Sequence, residues 1–247
     1  MLSTQINRTT ILDHIQTAAA NNQKLLAVLI DPDKVDVEDV VSIAAKIKHL
    51  TPDYVFVGGS TVEEGATDSF VGAFKTYCDI PVVLFPGCES QITHKADALL
   101  FLSLLSGRNP EYLIEQQLRA VKKLEDSALE VIPTGYVLVD GGNTSSVQRV
   151  SKTTPIAQHA LETIVTTAKA GEYMGKQLIY LEAGSGAHIP VHSEIVKAVK
   201  RALQIPLIVG GGLRSKEQIN DAYENGADLV VVGTAFEQNI NFNETHG

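Results

Sequence analysis

The sequence has no tryptophan, two methionines and two cysteines in 247 residues. One pair of cysteines, Cys78 and Cys88, makes no disulfide framework, and both are read as reduced thiols. No C-x-x-C pair, G-x-S-x-G elbow or P-loop occurs. Dithiol redox chemistry, serine-elbow hydrolysis and Walker-type nucleotide binding are therefore set aside. No apolar run approaches the roughly 20 residues that cross a bilayer, and the first ten residues carry no signal-peptide core. The expectation is a cytoplasmic protein with at most peripheral membrane contact. Positive charge is also scarce, 20 Lys and Arg against 29 Asp and Glu for a net charge of −9. Without a basic run, no nucleic-acid partner is expected. An acidic chain that binds phosphate must do so locally, with backbone amides, a few cations or a metal.

What the chain does have is repetition. Short runs rich in Val, Leu and Ile recur at Leu25–Ile30, Tyr54–Val57, Val82–Phe85, Ala98–Leu102, Val131–Val139, Leu178–Leu181, Leu207–Val209 and Leu229–Val232. Near-continuous apolar runs are the mark of parallel strands buried on both faces. Helical segments lie between most of them, including Val37–His49, Pro110–Leu129, Ile156–Met174, Ser193–Leu203 and Lys216–Asn225. This alternation predicts an α/β fold, a single (β/α)8 TIM barrel over residues 1–247. A doubly wound open sheet is the alternative. Only Pro86–Asp97 joins the third run to the fourth, so the third helix is expected to be reduced or missing.

In such a barrel the chemistry sits at the C-terminal ends of the strands. The first strand ends in Asp31-Pro32-Asp33-Lys34 and the second in Gly58-Gly59-Ser60-Thr61. Two carboxylates and an ammonium at the first mouth suit a hard cation bridging to phosphate oxygens, and a hydroxyl at the second can complete its shell; a capped turn is the plainer reading of both. The sixth strand delivers Tyr180 and Glu182 to one side, because strand side chains alternate. Ala183-Gly184-Ser185-Gly186 follow, with nothing in the local sequence to shield the carboxylate. Glu182 is a candidate general base. The seventh and eighth strands end in Gly210–Ser215 and Gly233-Thr234. Glycine lets backbone N–H groups crowd around an anion, and barrels commonly hold phosphate with these two loops. Phe85-Pro86-Gly87 after the third strand and Leu102–Asn109 after the fourth are apolar for loop flanks and are candidates for a greasy groove with Arg108 at its polar end; ordinary barrel core and a solvated arginine are the plainer reading. His188 and His192 have the spacing of zinc ligands on a helix, but Pro190 lies between them and no third ligand is evident.

Five segments together, L-I-D-P-D-K (29–34), V-G-G-S (57–60), Y-L-E-A-G-S-G (180–186), V-G-G-G-L-R (209–214) and V-G-T-A-F-E (232–237), resemble the geranylgeranylglyceryl phosphate synthases, a family that includes the bacterial heptaprenylglyceryl phosphate synthases. The resemblance runs from Leu26 to Glu237. It implies transfer of a polyprenyl group, geranylgeranyl by the family's name, from its diphosphate to the 3-hydroxyl of sn-glycerol 1-phosphate, with Mg2+ as cofactor. It further implies that Asp31 and Ser60 hold the metal and that Glu182 is the base. Tyr180, Leu181, Glu182, Ala183, Gly184, Ser185, Gly186, Gly211, Gly212, Gly233 and Thr234 then contact the glycerol phosphate. A homo-oligomer and a barrel without a regular third helix follow from the same resemblance. The residues alone leave open a different phosphate-binding barrel enzyme, such as a sugar-phosphate isomerase, and a non-catalytic phosphometabolite-binding protein.

Overall fold

The computed structural model describes residues 9–125 and 127–233, Val37 by its backbone only. Eight parallel strands close into a barrel in sequence order: β1 Leu25–Ile30, β2 Tyr54–Val57, β3 Val82–Leu84, β4 Ala98–Leu104, β5 Glu130–Leu138, β6 Leu178–Glu182, β7 Leu207–Gly210 and β8 Leu229–Val232. β8 pairs back onto β1 through Leu25↔Leu229 to Val28↔Val232. Strand alternation divides the buried side chains into two layers. Leu25, Ala27, Tyr54, Phe56, Leu100, Leu178 and Tyr180 fill the barrel. Val28, Ile30, Val55, Val57, Ile179 and Leu181 face the helices.

The open sheet is thus excluded, and the third connection is as short as the sequence implied. Between β3 and β4 the chain makes only a 3-10 turn, Glu89–Gln91, where a regular barrel unit has a helix. The helices that follow the other strands are α2 Val40–Leu50, α3 Ala66–Phe74, α4 Gln116–Glu125, α5 Ser146–Ser151 with α6 Leu161–Tyr173, and α7 Ser193–Ala202. α8, Lys216–Glu224, joins β7 to β8.

Three segments depart from the periodicity reading. The helix expected over Pro110–Leu129 begins with a π-helical turn, Glu111–Glu115, and is α-helical only from Gln116 to Glu125. The one expected from Ile156 starts at Leu161, because Ile156 instead forms a parallel bridge with Val139. Ahead of β1, α1 (Ile11–Ala20) closes the N-terminal end of the barrel. Its first turn is satisfied twice over. Thr10 and Asp13 form a reciprocal capping box, and the Glu130 carboxylate at the foot of β5 accepts from the N–H groups of Ile11 and Leu12 at 2.7 and 2.9 Å. Its inner face buries Ile15 and Ala18 against the barrel interior, and His14 Nδ1 meets the Tyr54 hydroxyl at 2.5 Å. All of the candidate chemistry therefore lies at the other end.

Candidate active site

One cavity occupies the C-terminal mouth and runs over the rim toward α4. Its mouth end is walled by the turns after β6, β7 and β8: Ser185, Gly186, Gly211, Gly212, Arg214 and Gly233. Gly186, Gly211 and Gly212 have φ of +71°, +82° and +74°, conformations that cost a side-chain-bearing residue about 1–2 kcal/mol. Arg214 fastens two of these turns together by donating to the carbonyls of Gly186 and Ala187 at 3.2 and 2.7 Å. The other end is apolar. It is lined by Ile92, Leu99, Phe101, Ala120 and Val147, several of them reachable only because no helix covers the gap after β3. Leu102 and Leu104 line the cavity as expected. Arg108 does not; its guanidinium donates to the carbonyls of Leu105 and Gly107, so Arg108 does not form the polar end of the groove.

Glu182 stands where the two ends meet. Flanked by small residues in sequence, it reads as unshielded, yet it is only 5% exposed. The shield comes from other strands. Tyr136 and Phe85 close over Tyr180, with Phe85 stacked on Tyr180 at 5.2 Å and Tyr136 5.5 Å from it between ring centroids. Across the sheet Glu182 pairs with Gly210. A Cβ placed on Gly210 would lie 2.9 Å from Glu182 Oε2, and one on Gly211 2.3 Å from Oε1. These two glycines thus make the space in which the carboxylate sits. Glu182 Oε1 accepts from Gly184 N–H at 2.7 Å, and the Tyr180 hydroxyl also hydrogen-bonds the carboxylate. Burial outweighs both bonds and pushes Glu182 up to about 7 from an ordinary 4.5. Burial, then the Glu182 charge, holds the Tyr180 and Tyr136 phenols well above their usual value. Phe85 lines the cavity as the sequence suggested, whereas Tyr136, like Tyr112 and Val147, is a lining residue that sequence reading missed; an aromatic within a strand is a weak signal taken singly.

This arrangement has a stability consequence. The folded chain holds the Glu182 proton more tightly than the unfolded chain does. Its contribution is complete below pH 4.5 and is lost as pH rises through about 7. Relative to Glu182→Gln, which does not titrate, wild type should lose stability on the order of 3 kcal/mol between those limits. Thermal melts of both proteins from pH 4.5 to pH 8 measure this directly. Parallel curves would show that Glu182 is not raised.

Asp31 lies across the mouth. It caps the 3-10 turn Pro32–Lys34, Oδ1 accepting from Asp33 N–H at 3.2 Å, and Lys34 Nζ stands 3.7 Å from Oδ2. Partial burial raises its carboxyl above the ordinary value, against the lowering effects of the Asp33 N–H and Lys34. Asp31 and Ser60 both line the cavity, brought together by Gly59, on which a Cβ would fall 3.1 Å from Asp31 Oδ1. Among the described residues no cluster of three or more His, Cys, Asp or Glu could hold a metal. One partly desolvated carboxylate beside a hydroxyl fits a cation that keeps waters and takes substrate oxygens, as Mg2+ does.

Three of the expected glycerol-phosphate contacts are placed elsewhere. Leu181 and Ala183 belong to the layer between strands and helices, and neither they nor Gly184 line the cavity. Strand alternation turns Leu181 outward. Ala183 N–H is spent on Gly210 C=O and Gly184 N–H on Glu182. Tyr180, Glu182, Ser185, Gly186, Gly211, Gly212 and Gly233 do line it. Thr234 lies outside the described residues.

Comparison with known proteins agrees with this geometry. The PcrB family model matches residues 20–245. A geranylgeranylglyceryl phosphate synthase of Zunongwangia profunda is 56% identical over 227 residues, covering 92% of this chain and 97% of the relative. The enzyme of that name from Thermococcus gammatolerans is 42% identical, covering 87% and 85%. A crystal structure of (S)-3-O-geranylgeranylglyceryl phosphate synthase from Thermoplasma acidophilum, in complex with its substrate sn-glycerol-1-phosphate, superimposes with a TM-score of 0.89 at 35% identity, covering 95% of this chain and 94% of that one. Barrel, site and relatives agree: this chain belongs to the PcrB family.

Proposed function

We propose that the chain transfers a polyprenyl group from its diphosphate to the 3-hydroxyl of sn-glycerol 1-phosphate, giving an ether-lipid precursor and diphosphate. The observation that carries this reading is the position of Glu182, a buried carboxylate raised to about 7, between glycine turns suited to a phosphate and an apolar limb suited to a hydrocarbon chain. A sugar-phosphate isomerase would use the first half of that cavity and has no use for the second. A protein that only binds phosphometabolites has no need of a buried base.

The turns at Gly186, Gly212 and Gly233, with Arg214 beside them, seat the acceptor phosphate and so direct the glycerol hydroxyl toward Glu182. Apolar side chains at the rim place the allylic carbon and keep water from it. The donor's C–O bond breaks, with its electron pair leaving on diphosphate, and the acceptor oxygen bonds to the allylic carbon. The hydroxyl proton goes to the Glu182 carboxylate, whose elevated basicity suits work near neutral pH. Asp31 and Ser60 would hold Mg2+, which when bound neutralises charge on the diphosphate oxygens. No covalent intermediate with the protein is required.

A panel of prenyl diphosphates of increasing length, with glycerol 1-phosphate and with glycerol as acceptors, tests the reading. Ether product should form with the phosphorylated acceptor and be greatly reduced with glycerol. Absence of product with every donor would refute it. Gly211→Val offers a finer test, since its side chain would intrude on Glu182 and on the Gly184 N–H, which would lie 2.3 and 2.7 Å from the new Cβ. The acceptor Michaelis constant should rise much more than the donor's. An equal rise in both would show that the turn after β7 does not serve the acceptor.

A further inference from the structure

The segment that stands in for the third helix carries a side chain that no step above uses. Gln91 is 2% exposed and does not line the cavity. Its amide is nonetheless fully engaged with the turns at the mouths of β2 and β3. Oε1 accepts from Gly59 N–H at 3.3 Å and Gly87 N–H at 3.2 Å, and Nε2 donates to Gly59 C=O at 2.9 Å. One side chain thus satisfies both backbone groups of Gly59, as a neighbouring strand would. The packing leaves no slack around this contact. A Cβ on Gly87 would fall 2.4 Å from Gly59 O and 2.7 Å from Ser60 O, and one on Gly58 2.0 Å from Phe85 O. On its far side Gly59 abuts the Asp31 carboxylate, and Ser60 follows it into the cavity.

We infer that Gln91 is the positioning residue of the diphosphate end of the site. It pins Gly59 and Ser60 against Asp31, so that the carboxylate and hydroxyl present a fixed pair of oxygens to the cation and diphosphate. The inference rests on the reading of Asp31 and Ser60 as the metal-holding pair. A buried glutamine is needed because the turn offers one acceptor and two donors to a single partner; a hydrophobic side chain of equal length would leave three backbone groups unpaired.

The test is binding, not turnover. Titration calorimetry with inorganic diphosphate and Mg2+, and separately with glycerol 1-phosphate, is run on wild type, Gln91→Met and Asp31→Asn, with thermal melts of each. For Gln91→Met the affinity for Mg2+ with diphosphate should fall about 10–100-fold, the usual effect of losing a group that orients a ligand. Glycerol 1-phosphate affinity should change less than about twofold, since its turns lie across the barrel. Unchanged diphosphate affinity, or a parallel loss of both, overturns the inference. If Gln91→Met does not fold, Gln91→Glu, which keeps the length and both acceptor positions, takes its place with the same expectation. Failure of that variant to fold would also overturn the inference, making Gln91 a residue of the fold alone. Asp31→Asn separates the two levels. If it binds Mg2+ with diphosphate as wild type does, the metal reading itself is wrong. If it loses that binding while the Gln91 variant keeps it, only the positioning role is refuted.

Discussion

Asp31→Asn should nearly abolish turnover while leaving the barrel intact. Among the described residues three carboxylates line the cavity, Asp31, Glu89 and Glu182. Glu182 is buried and assigned to the proton. Glu89 faces Arg119 at 3.6 Å, and its backbone is bonded to Gln116 and Lys123. Asp31 is therefore the charge available to hold a cation against the leaving diphosphate, and losing it removes several kcal/mol of charge stabilisation. The structural cost is small. Asparagine can accept from Asp33 N–H as aspartate does. The Lys34 pair, with the lysine 49% exposed, is worth at most about 1 kcal/mol. Single-turnover rates at saturating Mg2+, with melting curves beside them, check both halves. Near-normal rates in a folded variant would mean that Asp31 only caps its turn.

Glu182→Gln should lose about 10²–10⁴-fold in turnover and keep most of its acceptor affinity. Glutamine fits the same space between Gly210 and Gly211, and its carbonyl can still accept from Gly184 N–H. The amide nitrogen can donate to the Tyr180 oxygen, so the local network survives in reversed polarity. What is lost is a site for the proton. Wild-type kcat/KM should rise with pH through an apparent pKa near 7, and this dependence should vanish in the variant. If Glu182→Gln alters only acceptor affinity and retains the wild-type single-turnover rate, Glu182 orients the glycerol and another group takes the proton.

The barrel and its short third connection were legible because both are written locally, in apolar runs and in the spacing between them. Asp31, Ser60, Glu182 and the glycine turns could be placed because each ends a strand, and in this architecture strand ends converge. The environment of Glu182 could not be read. Its neighbours in sequence are small, and its burial depends on Phe85 and Tyr136, which lie 97 and 46 residues before it in the chain and reach it from two other strands. Gln91 was invisible for a related reason: a polar residue in a short loop looks solvated until its partners, Gly59 and Gly87, are brought to it. Leu181 and Ala183 turn toward the helices instead. Motif matching includes every residue of a segment, whereas the alternation of a strand sends half of them away from the cavity.

The helix that closes the barrel floor separates the molecule into a chemical face and a handling face. Thr10 and the capping box of α1 sit beside Glu130 at the foot of β5, a full strand length from the turns that carry Asp31 and Glu182. A linker attached ahead of Thr9 would start from the floor, so the enzyme could be tethered to a bead or electrode by that end with its mouth turned outward. The capping box and Glu130 secure the first turn of α1, so such a tether should pull on a helix already anchored to the barrel.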